Sequence, residues 1–200
     1  MLKKFVLAAT LTNCLTAASW ANADNNCMDV SLDPARESGL LRPTTLDECN
    51  AVWDTLNASQ KFPHIFRPEQ TNLYPGLCYV STGNGIAAKL GSRAVNVKSV
   101  SAWTTDFVPI LIGGNDVVAS VITQWTVFNV KNSKLGKVFT SDAIDLSSSS
   151  ELDVMVGGSD QFENAKGAVR IDSTPVPNPL GEGLPPLIKV TGIKGKLCLP

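Results

Sequence analysis

The fold is decided by residues 151–172, which read ELDVMVGGSDQFENAKGAVRID. Leu152, Val154 and Val156 alternate with other residues before a Gly-Gly pair, and a second alternating run follows the polar residues after it. Period-2 alternation on both sides of a Gly-Gly-Ser-Asp sequence predicts two strands joined by a tight turn. Glycine adopts a positive φ without steric cost, and Asp160 belongs to the few other residue types that tolerate it. We therefore predict a β-hairpin or a bulged connection here.

More strands are predicted in the same half of the chain, over residues 77–80, 94–105, 107–112, 117–130, 136–146 and 187–199. The segment 117–130 is apolar on both faces, since Ile122 and Phe128 share one face while Val121 and Trp125 share the other. A strand that is apolar on both faces must be covered on both. Many short strands separated by turns predict an all-β fold, an antiparallel barrel or sandwich over residues 77–200.

The preceding segment, residues 24–76, is predicted to be an extension with one helix. Thr45 and Glu48 form a capping box, and the residues that follow place an apolar stripe on one helical face. That stripe comprises Leu46, Cys49, Val52, Trp53 and Leu56. Residues 24–43 are polar and rich in turn formers, so we expect no regular structure there, and residues 60–76 are expected to form a proline-rich loop.

Residues 1–23 have the pattern of a signal peptide. Lys3 and Lys4 precede an apolar segment, and Ala21-Asn22-Ala23 is a small-residue cleavage site. The pattern predicts a periplasmic or secreted protein. We expect no membrane span, because no later apolar run is long and uncharged enough to cross a bilayer.

Four cysteines remain after the predicted leader: Cys27, Cys49, Cys78 and Cys198. In an oxidising compartment they predict two disulfides, for which three connectivities are possible. A zinc site is the competing interpretation, but the sequence has no C-x-x-C pair and only one histidine, His64. We therefore expect no metal site.

Charge and motifs exclude several classes of function. The net charge is −1 and no block of like charges occurs, which argues against nucleic acid as a main partner. The sequence also shows no dinucleotide-binding fingerprint and no Ser-His-Asp arrangement. We expect no organic cofactor.

A family resemblance is carried by residues 157–162, GGSDQF, followed by Ala165 and Gly167. This stretch resembles the GGTGxFxxAxG signature of the dirigent proteins and allene oxide cyclase-like barrels, with Asp160 replacing the usual third glycine. The resemblance covers roughly residues 136–197. It implies an eight-stranded antiparallel barrel with a hydrophobic lumen, commonly in a trimer. Dirigent proteins steer the coupling of phenoxy radicals, and allene oxide cyclases convert a fatty-acid epoxide to a cyclopentenone; no catalytic residue transfers from them to this chain.

These patterns and the resemblance together predict a barrel that binds a hydrophobic or aromatic small molecule. If the protein is an enzyme or a dirigent-like factor, it isomerises or cyclises this molecule, or directs its coupling, without a metal. The alternative is a non-catalytic ligand- or protein-binding module. The candidate ligand-binding residues lie on predicted strands and are Tyr79, Trp103, Trp125, Asp142 and Arg170. Their competing roles are core packing or subunit contacts for the tryptophans and solvation for Asp142 and Arg170. An open, aromatic-lined lumen with a carboxylate would favour the enzyme, and a lumen plugged by aliphatic residues would favour the module.

Closure of a barrel also predicts disulfide pairing and assembly. If the first and last strands are neighbours, Cys78 pairs with Cys198, which leaves Cys27 to tie the extension to the helix through Cys49. One short helix cannot cover the exterior of a whole barrel. We therefore predict a homo-oligomer, which the resemblance suggests is a trimer.

Overall fold

The computed structural model describes residues 26–59, 78–103, 110–112, 116–145, 148–180 and 185–200. Eleven strands and one helix lie within these ranges. They are β1 (Cys27–Leu32), β2 (Leu41–Pro43), α1 (Leu46–Ala58), β3 (Cys78–Ser81), β4 (Ile86–Leu90), β5 (Arg93–Trp103), β6 (Ile110–Ile112), β7 (Asp116–Asn129), β8 (Lys134–Asp145), β9 (Ser150–Asp160), β10 (Lys166–Val176) and β11 (Leu187–Cys198). The predicted leader and His64 lie outside the described residues.

Eight antiparallel strands close into a barrel, in the order β1-β4-β5-β7-β8-β9-β10-β11, with β11 pairing back onto β1. At the other end of the barrel, β2 and β3 take the place of β1 and β4 between β11 and β5. Strand β6 pairs with the start of β7. The predicted eight-stranded antiparallel barrel is confirmed.

Part of the barrel comes from segments that were not predicted as strands. Residues 24–43 were expected to lack regular structure, yet they contain β1 and β2, and β4 was also missed. In β1, Val30 pairs with Gly195 of β11 and with Leu90 of β4. These strands are short, and pairing with longer neighbours supplies the stability that their own sequence pattern does not signal. One strand of the eight-stranded order, β1, therefore lies in the segment 24–76 that was predicted to be an extension.

The predicted disulfide connectivity is wrong. The structure pairs Cys27 with Cys198 and Cys49 with Cys78. The last strand does close against the first, but the first strand is β1, in which Cys27 lies directly opposite Cys198. Cys49 on α1 is left to join Cys78 on β3, which fastens the helix to the barrel wall.

The segment 151–172 forms two antiparallel strands, β9 and β10, joined by residues 161–165. The glycine pair lies within β9, where a β-bulge interrupts its register with β8. A Cβ on Gly158 would lie 1.9 Å from the Phe162 carbonyl oxygen, so only glycine allows this approach. Asp160 has a φ of 56°, and the buried Phe162 and Ala165 fill one end of the core.

Helix α1 begins with the predicted capping box of Thr45 and Glu48. Its buried side chains pack on the outer face of the barrel, against Ala102, Ile122 and Phe139. Leu46 is 50% exposed and is not part of the buried stripe, contrary to the prediction. The helix thus covers one apolar position, Ile122, on the outer face of β7. No helix among the described residues has the length and apolar character that crossing a membrane requires.

Candidate functional site

One half of the barrel lumen is filled by apolar side chains. A cavity of only about 60 Å³ remains there. Its walls include Val97, Val127, Val138, Val169, Leu197 and the ring of Trp125. This half is part of the hydrophobic core and leaves little space for a ligand.

The other half contains a cavity of about 420 Å³, which we call the mouth cavity. Two aromatic side chains, Tyr79 on β3 and Trp103 at the end of β5, line it together with Glu151 near the start of β9. The remaining wall is formed by serines and aliphatic residues, namely Ser101, Ser149, Ser150, Ser173, Leu41, Val121, Ile144, Pro175, Pro186 and Ile188. Its volume lies within the range of small-molecule sites, about 300–1,000 Å³.

A polar layer separates these two halves. Alternate residues of a strand share one face, so Asp142 lies between Thr140, which lines the apolar half, and Ile144, which lines the mouth cavity. By the same alternation Asp153 lies between Met155 and Glu151 on β9. Both aspartates are therefore lumen residues, located at the inner end of the mouth cavity.

Three carboxyl groups meet in this layer, and we call Asp142, Glu151 and Asp153 the carboxyl cluster. Asp142 and Asp153 are direct cross-strand partners, and Glu151 is two residues before Asp153 on the same face. One oxygen from each group lies within 4.8 Å of the others. At such a spacing carboxylates repel one another unless a proton or a cation lies between them.

Among the described residues, the side-chain hydrogen bond to the cluster is made at Asp142. The Thr123 hydroxyl donates to Asp142 Oδ2 at 2.5 Å and lies 3.0 Å from Ser101 Oγ. The Trp125 indole N–H donates to Thr140 Oγ1 at 3.2 Å. Asp142 Oδ1 and both carboxyl oxygens of Asp153 are buried and accept no hydrogen bond of good geometry from the described residues, although Thr140 is near enough to Asp142, and Trp125 to Asp153, to interact weakly. Buried acceptors without partners are costly, and they are rare away from functional sites.

Burial raises the pKa of all three carboxyl groups. The pKa of Asp142 rises to about 7, against hydrogen bonds from Thr123 and Thr140 that lower it. Burial, followed by the neighbouring charge of Asp142, raises the pKa of Glu151 to about 8. For Asp153 burial is again the largest cause, the charges of Glu151 and Asp142 add to the rise in pKa, and the Trp125 indole N–H opposes it. The cluster therefore retains protons near neutral pH.

The structure brings together four of the five predicted ligand-binding residues. Tyr79 and Trp103 line the mouth cavity, Asp142 lies at its inner end, and Trp125 lies just beyond the polar layer. Burial raises the pKa of the Tyr79 phenol, which favours its neutral form. Arg170 does not join them: it is exposed on β10 and its Nε donates to Asp172 Oδ1 at 2.9 Å.

Sequence reasoning missed Glu151 and Asp153. Their signal was present, because both acids occupy the positions that alternate with Leu152, Val154 and Val156. The structure places these three apolar residues outside, where each is 44–49% exposed, and the acids inside. The usual arrangement of a half-buried strand is thus reversed in the first part of β9.

Comparison with known proteins gives no identification. No protein-family model matches the chain, and no curated protein or solved structure matches it. The candidate site is therefore defined by its own geometry, and the likeness to dirigent and allene oxide cyclase-like barrels stays a prediction.

Proposed function

We propose that the mouth cavity binds a hydrophobic or aromatic small molecule and that the carboxyl cluster exchanges a proton with it. Proton exchange of this kind drives isomerisation and ring closure, and ring closure is the reaction that the allene oxide cyclase-like side of the resemblance implies. The proposal is carried by one observation, that unpartnered buried carboxyl oxygens lie at the inner end of an aromatic-lined cavity.

The raised pKa values suit this role. A general acid works best when its pKa is near the operating pH, because both protonation states are then available. Asp142, with a pKa of about 7, meets that condition through burial alone. The neutral Tyr79 phenol and the Trp103 ring would hold a planar apolar group beside the cluster.

The second candidate function is a non-catalytic binding module. The apolar half of the lumen favours it, since that half is packed with aliphatic side chains and its cavity is only about 60 Å³. In that case the carboxyl cluster would orient a ligand through hydrogen bonds without transferring a proton.

A ligand screen followed by turnover assays tests both candidates. Phenols, aromatic amines and uncharged esters of fatty-acid-derived compounds are screened by thermal shift, since a ligand at a hundred times its Kd stabilises the folded state by about 2.7 kcal/mol. Any hit is then incubated with wild-type protein, with Asp142→Asn and with the exposed-site control Glu163→Gln. Turnover that Asp142→Asn abolishes and Glu163→Gln retains supports the enzyme. Binding without turnover supports the module, and no binding by any compound contradicts both.

The proposal also includes export and self-association. Two disulfides are typical of proteins in oxidising compartments, which agrees with a periplasmic or secreted location. Leu152, Val154 and Val156 form an exposed apolar stripe on the outer face of β9, which we call the β9 stripe. Such a stripe supports the predicted homo-oligomer, for which the resemblance suggests a trimer, because exposed apolar patches commonly mark interfaces.

A further inference from the structure

The mouth cavity and the carboxyl cluster carry a charge imbalance. The cluster brings three acidic groups together, while the described residues that line the mouth cavity include no lysine, arginine or histidine. The groups that face the cluster from β7 and β8 are Thr123, Trp125 and Thr140, none of which is a cation. Glu151 belongs to both the cluster and the cavity wall. A positively charged ligand entering the cavity would thus meet acidic groups and no cationic side chain from the described part of its wall.

The ion pairs among the described residues do not supply a cation to the carboxyl cluster. Asp33 pairs with Arg36 and Lys89, Arg42 with Glu48, and Lys134 with Asp160. Arg170, which is near the cavity through its contact with Ser150, is paired with Asp172 on the outside of the barrel. None of these pairs includes a member of the cluster.

The aromatic residues add a second attraction for a cation. Trp and Tyr rings attract organic cations through their negative faces, and this attraction grows when the cation is desolvated. Tyr79 and Trp103 line the same cavity as Glu151. Aromatic walls combined with an acidic group are the chemistry that recognises an ammonium group attached to an apolar body.

We propose that the ligand of the mouth cavity is an organic cation, an aromatic or aliphatic amine or quaternary ammonium compound whose charged nitrogen lies against Glu151. This inference rests on the proposed function and specifies its ligand class. The positive charge of the ligand replaces a bound proton in neutralising the carboxylates of the cluster. Binding therefore stabilises the ionised form of the carboxyl groups, and it strengthens as the pH rises.

The test compares two probes of the same shape by isothermal titration calorimetry at pH 8. The first is trimethyl(2-phenylethyl)ammonium, and the second is its neutral carbon analogue, in which a carbon atom replaces the nitrogen. The expected result is that the cation binds at least about tenfold more tightly than its analogue. A quaternary nitrogen has no proton, so the difference measures charge alone. A third probe, 3-phenylpropanoate, should not bind, because its carboxylate would face the cluster.

Variants test whether the preference for a cation over its neutral analogue depends on Glu151. Glu151→Gln should lower the ratio of the two affinities to near one while the neutral analogue still binds, and the exposed-site control Glu163→Gln should leave the ratio unchanged. If Glu151→Gln does not fold, the wild-type protein decides the question. Its affinity for the cation should fall at least tenfold from pH 8 to pH 5.5, while that for the neutral analogue stays constant.

The outcomes separate this inference from the function on which it rests. Equal binding of the cation and its neutral analogue would overturn the organic-cation inference and leave the lumen-binding function intact. Failure of every organic probe would contradict both. A calcium chloride arm is included because clustered carboxylates also bind divalent cations; binding of Ca²⁺ without binding of the organic cation would overturn the inference as well.

Discussion

Asp142 and Asp153 are direct cross-strand partners on β8 and β9, and their side chains are 3% and 0% exposed inside the barrel. Like charges directly opposite each other destabilise a sheet. Neither aspartate has a lysine or arginine partner among the described residues. The pair is therefore tolerated because the folded protein keeps protons on these groups, as the raised pKa of each indicates.

The first prediction is that stability falls as the pH rises. The ordinary pKa of Asp142 is 3.8 and that of Glu151 is 4.5, and folding raises them to about 7 and about 8. Between these limits the folded state keeps protons that the unfolded state has released. Each retained proton then costs about 1.4 kcal/mol of unfolding free energy per pH unit. Urea unfolding at pH 5, 6.5 and 8 should show this loss.

The variant Asp153→Asn should reduce that loss, because it removes one of the buried charges that accumulate at high pH. We expect it to be more stable than wild type at pH 8 and to show a shallower dependence on pH. The matched control, Glu163→Gln on the exposed turn, should follow the wild-type curve. A wild-type stability that does not change from pH 5 to pH 8 would refute this account of the cluster.

The second prediction concerns the bulge in β9. In Gly158→Ala the new methyl group would lie 1.9 Å from the Phe162 carbonyl oxygen and 2.7 Å from that of Lys137, so the backbone must move. We expect a loss of about 3 kcal/mol. Gly83 is the control: its φ of 57° is positive, unlike that of Gly158, but nothing lies within 4 Å of its Cβ position, so Gly83→Ala should cost only about 1 kcal/mol. Equal losses in urea unfolding would show that the close contact at Gly158 is unimportant.

The third prediction concerns the disulfides. Non-reducing peptide mapping should recover Cys27 linked to Cys198 and Cys49 linked to Cys78. Replacing both members of a pair with alanine should cost more for Cys27–Cys198, because its sequence separation is 171 residues against 29. The chain-entropy model gives about 5 and about 3.6 kcal/mol for the two. A peptide that links Cys27 to Cys49 would contradict the structure.

The fourth prediction concerns assembly through the β9 stripe. Light scattering should give the mass of an oligomer for wild-type protein, and Val154→Lys should shift it toward the monomer because a charge in the interface would lose its hydration. Val130 is also exposed but lies in the turn that follows β7, so Val130→Lys serves as the control and should not change the mass. A monomeric wild type across micromolar concentrations would remove the support for a homo-oligomer.

Much of the fold follows from local pattern. The long strands β5, β7, β8 and β11 were predicted because each carries enough alternating or continuous apolar residues to be recognised alone. Strands β1, β2 and β4 were missed because they have only three to six residues and depend on pairing with distant partners. The disulfide error had the same origin, since it assumed that β3 was the first strand of the barrel.

The candidate site was only partly predictable. Tyr79, Trp103 and Asp142 were chosen because each lay on a predicted strand, and the structure gathers them at one cavity. The alternation in β9 predicted a strand but could not identify its inner face, because the apolar face of a strand normally packs inward. Here Leu152 and Val154 face outward, so the acidic face that forms the cluster was not recognised.

The most direct test of the carboxyl cluster is a ¹³C NMR titration of its side-chain carboxyl carbons in the wild-type protein. The account predicts that the carbons of Asp142 and Glu151 titrate near neutral pH, with pKa values of about 7 and about 8, and that Asp153 also titrates well above its ordinary 3.8. Spectra of the variants Asp142→Asn, Glu151→Gln and Asp153→Asn, each of which lacks one carboxyl signal, assign the signals to their residues. Ordinary pKa values for all three, at 3.8 for the aspartates and 4.5 for the glutamate, would contradict a proton-holding cluster in the lumen.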